Sequence, residues 1–497
     1  MTRARSVPRS LGLTLLSALF PGLGLVMGGR ARLGAIVMTL SAGLLGLCVW
    51  VGLTRRNEVL AAAVVPSRLL AISVGLGVLA LAWIAVIVWS HRLLRSATTG
   101  AGGRLVGAAF VGLLCFAIAA PVAIGVENVL AQRDLVQNVF VSQGDSHSAT
   151  RPDQVNTQDP WTGKPRLNLL LLGGDDGKGR DGTRTDTVIV ASIDTHTGDT
   201  ALISMPRQLT FMPFPTDSPL HEFYPNGFGE EGLPVNGRLE WMLNAMYRNV
   251  PAAHSGILGR SDNPGADVVK QSVGAATGLK IDYYLQVNLQ GFDQIVDALG
   301  GITVNVNERV AMGGNSELQI PPSQWIEPGP DQHLDGFHSL WFARGRYGAD
   351  DDQRQIRQRC TIKAIVDAAD PGTLVTKYQA IARAGKRLLR TDIPQELLPA
   401  LVQLGLKVKA ATVSNVQFDV SKLRLKYLHP DYVGMREAVA QALATKPTTA
   451  PTPGKSATPG KTHTPGKSPT PGKATLSPTE NLQDACAYNP TGDQAPS

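Results

Sequence analysis

Four apolar runs, separated by arginine-bearing polar stretches, fill the first 130 residues: Leu11 to Met27, Leu33 to Leu53, Leu69 to Ser90 and Leu105 to Val126. A bilayer core about 30 Å thick needs roughly 20 apolar residues of helix, and the last three runs meet that length. The first is shorter and is broken by Pro21-Gly22, so it reads as a re-entrant or interfacial piece. A cleavable signal peptide is the rival reading, but no A-x-A-like site is evident and three more apolar runs follow. Arg3, Arg5, Arg9, Arg30 and Arg32 flank the first run, Arg55, Arg56 and Arg68 lie between the second and third, and Arg92, Arg95 and Arg104 lie between the third and fourth. With three crossings only the middle group faces outward, which the positive-inside rule favours over four crossings. The expectation is a multi-pass membrane region over residues 1–130, with everything after Val126 outside the cytoplasm.

Residues 131–165 are polar without a strong period and read as a linker. From 166 to 445 the pattern switches repeatedly between strand-like and helix-like. Leu167 to Leu172, Thr187 to Ile193 and Ala201 to Met205 read as strands, with Thr195 to Asp199 as a hairpin turn. Leu239 to Tyr247 and Ala266 to Ala276 have helical character. Tyr283 to Val287 reads as a strand, Phe292 to Leu299 as a helix and Ile302 to Val306 as a strand, followed by helices over Leu334 to Ala343 and Gln353 to Ala368. Such alternation predicts an α/β domain with helices covering a sheet. Thr-Pro-Gly-Lys then repeats at Thr452, Thr458, Thr464 and Thr470. A segment so rich in proline and glycine cannot bury a core, so residues 446–480 are expected to be disordered, ahead of a short C-terminal segment, 481–497.

Composition changes this picture little. The formal charge of +7 is concentrated near the membrane runs, one central stretch and the tail, and aromatic residues make up only 6%. A nucleic-acid surface would show a basic stripe with interleaved aromatics, so no nucleic-acid partner is expected. Of four cysteines, Cys48 and Cys115 lie in apolar runs and no zinc spacing occurs. An oxidising compartment would allow a Cys360–Cys486 disulfide, although spacing alone does not bring the two sulfurs together.

Two stretches concentrate charge. In the first, a strand-like run from Asn168 ends in glycines and Asp175-Asp176, and Thr183-Arg184-Thr185-Asp186-Thr187 follows. Asp175 and Asp186 would converge at one sheet end, where hard oxygen ligands suit magnesium; turn and strand-cap roles are the bland alternative. The second holds Arg344, Arg346, Asp350-Asp351-Asp352, Arg354, Arg357, Gln358 and Arg359. Arg354 and Gln358, four apart, share a helix face. Arginines packed this closely repel one another unless an anion or the acidic run lies among them, and guanidinium grips phosphate bidentately. A salt-bridged solvent face is the alternative. Arg207 follows a strand and Pro206, which limits its backbone. There is no G-x-S-x-G elbow, phosphate-binding Walker loop or H-E-x-x-H motif.

Together these stretches resemble the LytR-CpsA-Psr family of wall-polymer ligases, over roughly Leu167 to Asp367 and the membrane-anchored layout before it. The likeness is carried by Asn168 to Asp175, Thr183 to Thr187, Ile203 to Arg207, Tyr283 to Val306 with Gly291-Phe292 and Asp297 to Gly301, and Leu334-Asp335-Gly336 through Gln358. Pro21 to Gly24 and the Ala/Gly/Arg-rich composition look actinobacterial. The resemblance implies an αβα sandwich with a mixed central sheet and a hydrophobic tunnel for a polyprenyl chain. It implies that Arg184, Arg207, Arg344, Arg346 and Arg354 line a pyrophosphate with Gln358 beside it, and that Asp175 and Asp186 hold Mg2+ or Mn2+. Arg207, Arg344, Arg346 and Asp351 would be catalytic, with Asp351 either orienting arginines or serving as base. The implied partners are a polyprenyl-pyrophosphate-linked glycan donor, a peptidoglycan acceptor and membrane lipid. Two departures stand out: Gln208 where the family usually has Asp, and three aspartates at 350–352 where it often has a single residue. Attack by water, giving a phosphatase, and non-catalytic lipid binding by an envelope regulator remain open alternatives.

Overall fold

The computed structural model describes residues 7–95, 100–152, 156–157, 159–175, 183–314, 319–349, 351–369, 380, 384, 389–416, 418, 430–444 and 479–489. They fall into two compact units, residues 1–138 with 398–403 and residues 139–397 with 404–497.

The first unit is helical. Ala31–Thr54, Pro66–Leu94 and Ala101–Val139 are each long and apolar enough to cross a membrane. Their outward positions are large and apolar, as Leu53, Leu81, Leu105 and Phe116 show, the reverse of a water-facing bundle. The first apolar run forms Val7–Leu19, too short to cross, and Leu23–Met27. The break falls at Gly22, whose φ of 102° only glycine adopts readily and whose hydrogen makes room for the Gly34 carbonyl; a Cβ there would lie 2.5 Å from that oxygen. Val7–Leu19 packs on Pro66–Leu94 through buried polar pairs, Ser17 Oγ to Ser90 Oγ at 3.0 Å and Thr14 Oγ1 with His91 Nδ1 at 3.0 Å, the interhelical bonding that holds helices together in lipid.

The boundary expected at residue 130 lies elsewhere. Helix Ala101–Val139 continues through the first nine residues assigned to a linker. The stretch after it is tied to the second unit: the His147 amide donates to Asp262 at 2.7 Å, Ser148 Oγ to Asp267 at 2.9 Å and the Ala149 amide to Asp267 at 3.0 Å. Asp267 is 1% exposed and requires donors once it is out of water; the serine- and threonine-rich run supplies them.

The second unit is built on a mixed sheet. Its strands, in chain order, are β1 (Arg166–Asp175), β2 (Arg184–Asp194), β3 (Thr200–Ser204), β4 (Tyr283–Asn288), β5 (Ile302–Val306), β6 (Val310–Met312), β7 (Gln324–Ile326), β8 (Gly329–Leu334), β9 (Leu389–Thr391), β10 (Val413–Val416) and β11 (Thr479–Asn481). Among the described residues the main sheet runs β11-β10-β3-β2-β1-β4-β9. β1–β4 and β3–β10 pair in parallel, and the other neighbours are antiparallel. Alternate residues of β1 to β3 serve opposite faces. Leu170, Leu172, Val188, Val190, Ala201 and Ile203 pack under helices Leu243–Ala253, Pro264–Thr277 and Tyr432–Ala444. Ile189, Ala191 and Leu202 pack with Ile362 and Leu482 on the other side. The unit is therefore an α/β sandwich with helices on both faces. The pairs β5–β8 and β6–β7 form a smaller cluster with helices Leu289–Leu299, Gly336–Arg344 and Asp351–Ala368.

Two helix assignments shift. The helical stretch expected over Leu239 to Tyr247 is a 3₁₀ turn, Leu239–Trp241, and a separate helix, Leu243–Ala253, split where Met242 is extended. Leu334 ends β8, and the next helix begins at Gly336 with the Asp335 side chain capping it through the His338 amide.

The Thr-Pro-Gly-Lys repeats lie outside the described residues. Beyond them the chain returns to the sheet as β11 and helix Leu482–Ala485, and Cys486 is disulfide-bonded to Cys360 with Cα atoms 5.6 Å apart. Asn305 and Asn307 donate to the Cys486 and Ala487 carbonyls at 3.0 Å each. The cross-link joins residues 126 apart, and closing so long a loop contributes about 2–4 kcal/mol. Cys486→Ser should therefore lower the melting temperature of the full chain in detergent, and reductant should lower the wild type to the same value while leaving the variant unmoved. Equal melting temperatures without reductant would contradict this role.

Candidate functional site

The antiparallel and parallel pairings bring four chain segments to one end of the sheet. β1 ends there at Asp175, β2 begins there at Arg184, β3 ends at Ser204 just before Pro206-Arg207, and β4 ends at Asn288. The register of β1 and β2 slips at this end. Gly173 faces Thr187 and Gly174 faces Thr185, so Asp186 is the extra residue of a bulge. A bulge re-aims a side chain out of the pleat. Gly173 is needed beside it, since a Cβ would come within 2.8 Å of the Thr187 side chain.

Asp186 meets Arg207. Arg207 Nη1 donates to Asp186 Oδ1 at 2.7 Å, and Asn244 Nδ2 donates to the same oxygen at 3.1 Å. The Leu243–Ala253 helix start is docked on the Arg207 strand exit, with the Leu243 amide bonded to the Leu209 carbonyl at 2.8 Å and the Asn244 amide to the Arg207 carbonyl at 3.1 Å. Burial opposes the charged form of Asp186. The Arg207 guanidinium and its hydrogen bond, the Arg346 charge and the Asn244 amide outweigh it and hold the carboxyl at about 2. Gln208 carries no charge, and the carboxylate facing Arg207 comes from Asp186 instead.

Helix Asp351–Ala368 contributes its polar side chains inward. Arg354, Arg357, Gln358 and Arg359 are all buried, with Arg359 at 0% exposure. The salt-bridged solvent face is thereby excluded for these residues. Gln358 Nε2 donates to Thr187 Oγ1 at 2.9 Å and Arg359 Nη1 to Ser204 Oγ at 3.1 Å, while Arg357 donates to the Gly345 carbonyl. The helix is thus pinned across β2, β3 and the Arg346 loop. Arg344 lies over the Trp341 ring, 4.9 Å from its centroid, a stacked arrangement that suits guanidinium. Arg184 pairs with Glu240, which also takes Arg248.

The structure therefore joins Asp186 and Arg207 directly, leaves the Arg346 charge near enough to act on Asp186, and ties Gln358 to the neighbouring Thr187. Asp175 closes β1 and Asp351 opens the arginine helix; their side chains, and the whole of Asp350, lie outside the described residues. Asn244, Glu240 and Arg248 escaped the sequence reading. The available signal was a charged and amide pattern inside an apolar helix start, at Glu240, Asn244 and Arg248, each four residues on from the last.

Among the described residues no group of three or more His, Cys, Asp or Glu side chains converges as a metal site. The donor set at Asp186 nevertheless fits a hard cation. Asn244 Oδ1 is buried without a hydrogen-bond partner, next to the Asp186 carboxylate, and magnesium commonly takes one or two carboxylates plus substrate phosphate. Arg207 Nε is likewise buried without a partner, which suits an approaching anion.

The LytR_cpsA_psr family model matches residues 135–446. A polyisoprenyl-teichoic acid–peptidoglycan teichoic acid transferase of Oceanobacillus iheyensis is 29% identical over 246 residues, 48% of this chain and 62% of the relative. The enzyme of that name from Enterococcus faecalis is 28% identical over 249 residues, 49% of this chain and 66% of the relative. The chain thus spans less than two thirds of either. Among solved structures, the LytR-Csp2A-Psr enzyme of Actinomyces oris aligns at 17% identity over 55% of this chain and 89% of that one, with a TM-score of 0.37.

Because the Asp186 carboxyl is depressed, its contribution to stability is complete above the ordinary carboxylate value of about 3.9 and is lost as pH falls toward about 2. The melting temperature of the wild type should accordingly drop more steeply than that of Asp186→Asn between about pH 4 and pH 2. Thermal melts of both proteins across that range check this, and parallel curves would contradict it.

Proposed function

The chain belongs to the LytR_cpsA_psr family, and from that premise we propose that it is a phosphotransferase moving a glycopolymer from a polyprenyl-pyrophosphate carrier to peptidoglycan. The observation that carries the reading is the convergence of Arg207, Arg346 and Asp186 at a strand end, backed by a helix of buried arginines. Guanidinium groups held at one sheet end suit the oxygens of a phosphate. The relatives' printed activity, teichoic acid transfer to peptidoglycan, supports the same chemistry.

In this reading an acceptor hydroxyl attacks the phosphorus nearer the glycan. The new O–P bond forms as the bond to the bridging oxygen breaks, and polyprenyl monophosphate leaves. Charge spreads over the phosphoryl oxygens, and Arg184, Arg207, Arg344, Arg346 and Arg354 stabilise it, with Gln358 beside them. Asp186, with a carboxyl held at about 2, is too weak a base to take the hydroxyl proton and instead orients Arg207. Asp351, which opens the arginine helix, is the candidate proton acceptor. Asp186 and the Asn244 amide oxygen would hold Mg2+ or Mn2+, with Asp175 at the same strand end. When bound, that ion supplies Lewis-acid neutralisation of phosphoryl oxygens. No nucleotide is required, because the pyrophosphate bond already holds the driving energy.

The polyprenyl chain would lie along the apolar cluster behind Arg207, which includes Met205, Leu209, Met212, Leu243 and Met246. Methionine is unbranched and repacks readily around an irregular guest. The three long apolar helices anchor the chain at the bilayer that holds this donor, and the arginine distribution supports a multi-pass arrangement with the sandwich outside the cytoplasm.

Full chain in detergent, incubated with a synthetic polyprenyl-pyrophosphate glycan, magnesium and peptidoglycan fragments, should yield glycan-bearing fragments detectable by mass spectrometry. Arg207→Ala and Arg346→Ala should each reduce that yield about 100-fold or more; Arg346→Ala should melt close to wild type, whereas Arg207→Ala should melt lower because it leaves Asp186 without its ion-pair partner. Wild-type yield in both variants would sink the site assignment.

A further inference from the structure

Four of the arginines near this strand end fall into two groups, each acting on one internal carboxylate. Arg207 and the Arg346 charge act on Asp186. Arg184 and Arg248 both bind Glu240, one to each carboxylate oxygen. A single segment links the groups, since residues 239–249 carry Glu240, Asn244 and Arg248.

We propose that Arg184 and Arg248 form a further half-site for the donor's pyrophosphate, and that Glu240 is the internal carboxylate which this anion displaces. The inference rests on the phosphotransferase reading above and names a residue, Arg248, and a carboxylate, Glu240, beyond it.

Three observations support an exchange. First, the carboxylate lies on the solvent side of its partners: the Glu240 side chain is 47% exposed, against 30% for Arg184 and 28% for Arg248. Glu240 can leave without crossing the core. Second, each arginine keeps another tether when Glu240 departs. Arg184 Nη1 reaches the Leu239 carbonyl at 3.3 Å, and Arg248 Nε reaches Asn249 Oδ1 at 2.8 Å. The two forks stay aimed, which lowers the ordering cost of binding a phosphate. Third, Glu240 rides on a three-residue 3₁₀ turn, Leu239–Trp241, which ends at the extended Met242. The Glu240 side chain can therefore swing away about its own rotatable bonds while the Leu239 carbonyl that holds Arg184, and the helix that carries Asn244 and Arg248, stay in place. A guanidinium fork donates to carboxylate and phosphate oxygens in the same planar geometry, and the donor's pyrophosphate, with one charge on each phosphorus, offers anionic oxygens to both forks where Glu240 offers a single charge. The Asn249 hydrogen bond and the charges of Arg184 and Arg248 keep the Glu240 carboxyl below its ordinary value, so it fills the anion position at every working pH.

An ordinary surface ion pair and a displaceable carboxylate predict opposite signs. The probe is inorganic pyrophosphate, titrated by calorimetry into the full chain in detergent with EDTA present, so that the arginines alone are read. Glu240→Gln removes the competing charge and should tighten binding about tenfold, whereas Arg248→Ala should weaken it about tenfold. Arg248→Lys, which keeps the charge without the fork, should fall between wild type and Arg248→Ala. Thermal melts of each variant separate loss of fold from loss of affinity. Unchanged or weaker binding in folded Glu240→Gln, or wild-type affinity in Arg248→Ala, overturns the proposal. If Arg207→Ala weakens binding while the other variants match wild type, the transfer reading survives and this inference falls. If all the signs appear but the full donor is not turned over, this inference stands and the transfer reading falls.

Discussion

The contact between Arg207 and Asp186 is the constraint around which the sandwich is arranged. Guanidinium groups crowded at one sheet end repel each other, and a half-buried charge needs a fixed opposite charge. Asp186 can serve only because the β1–β2 register slips and turns it out of the pleat. The slip in turn needs Gly173 opposite Thr187, which leaves the threonine hydroxyl placed to receive Gln358 from the arginine helix. The same ion pair takes Asn244 from a helix start that is bonded to the backbone on both sides of Gln208. One salt bridge therefore connects β2, the β3 exit, the start of helix Leu243–Ala253 and, through Thr187, helix Asp351–Ala368.

Much of this was legible in the chain. Strands β1 to β3 show the apolar pattern of a sheet buried on both faces, and Gly-Gly before two aspartates marks the strand end where charge collects. The Arg344 to Arg359 stretch was legible as charge but not as burial. The arginines lie on the buried side of their helix, against the expectation that charge marks the solvent face, and the contacts to Thr187, Ser204 and Gly345 reveal that orientation. Glu240, Asn244 and Arg248 were hidden for another reason. Met242 breaks the apparent helix over 239–247 into two pieces, and a periodicity argument that runs through the break assigns the wrong faces. The linker expected from 131 begins later, because helix Ala101–Val139 runs on through polar residues that show no strong period. Beyond it, the Ser148 hydroxyl and the Ala149 amide satisfy the buried Asp267, and the His147 amide donates to Asp262.

The C-terminal return has a physical consequence for the site. β11 adds a strand beside β10, and Cys486 is bonded to Cys360, the residue immediately after Arg359. The cross-link thus acts on the helix that holds Arg354, Gln358 and Arg359, and limits how far that helix can move. At the other end of the chain, three helices are long and apolar enough to cross a membrane. On the proposed reading, cross-link and ion pair serve one requirement: a phosphoryl-transfer site gains most from groups already in place before charge develops.

The most direct test follows the phosphorus atom itself. A donor labelled with 32P at the phosphorus nearer the glycan, given to the full chain with peptidoglycan fragments, should deliver its label to the fragment in a phosphodiester while unlabelled polyprenyl monophosphate is released. Label that stays with the lipid, or that appears as free glycan phosphate with none on the fragment, would contradict transfer at this site.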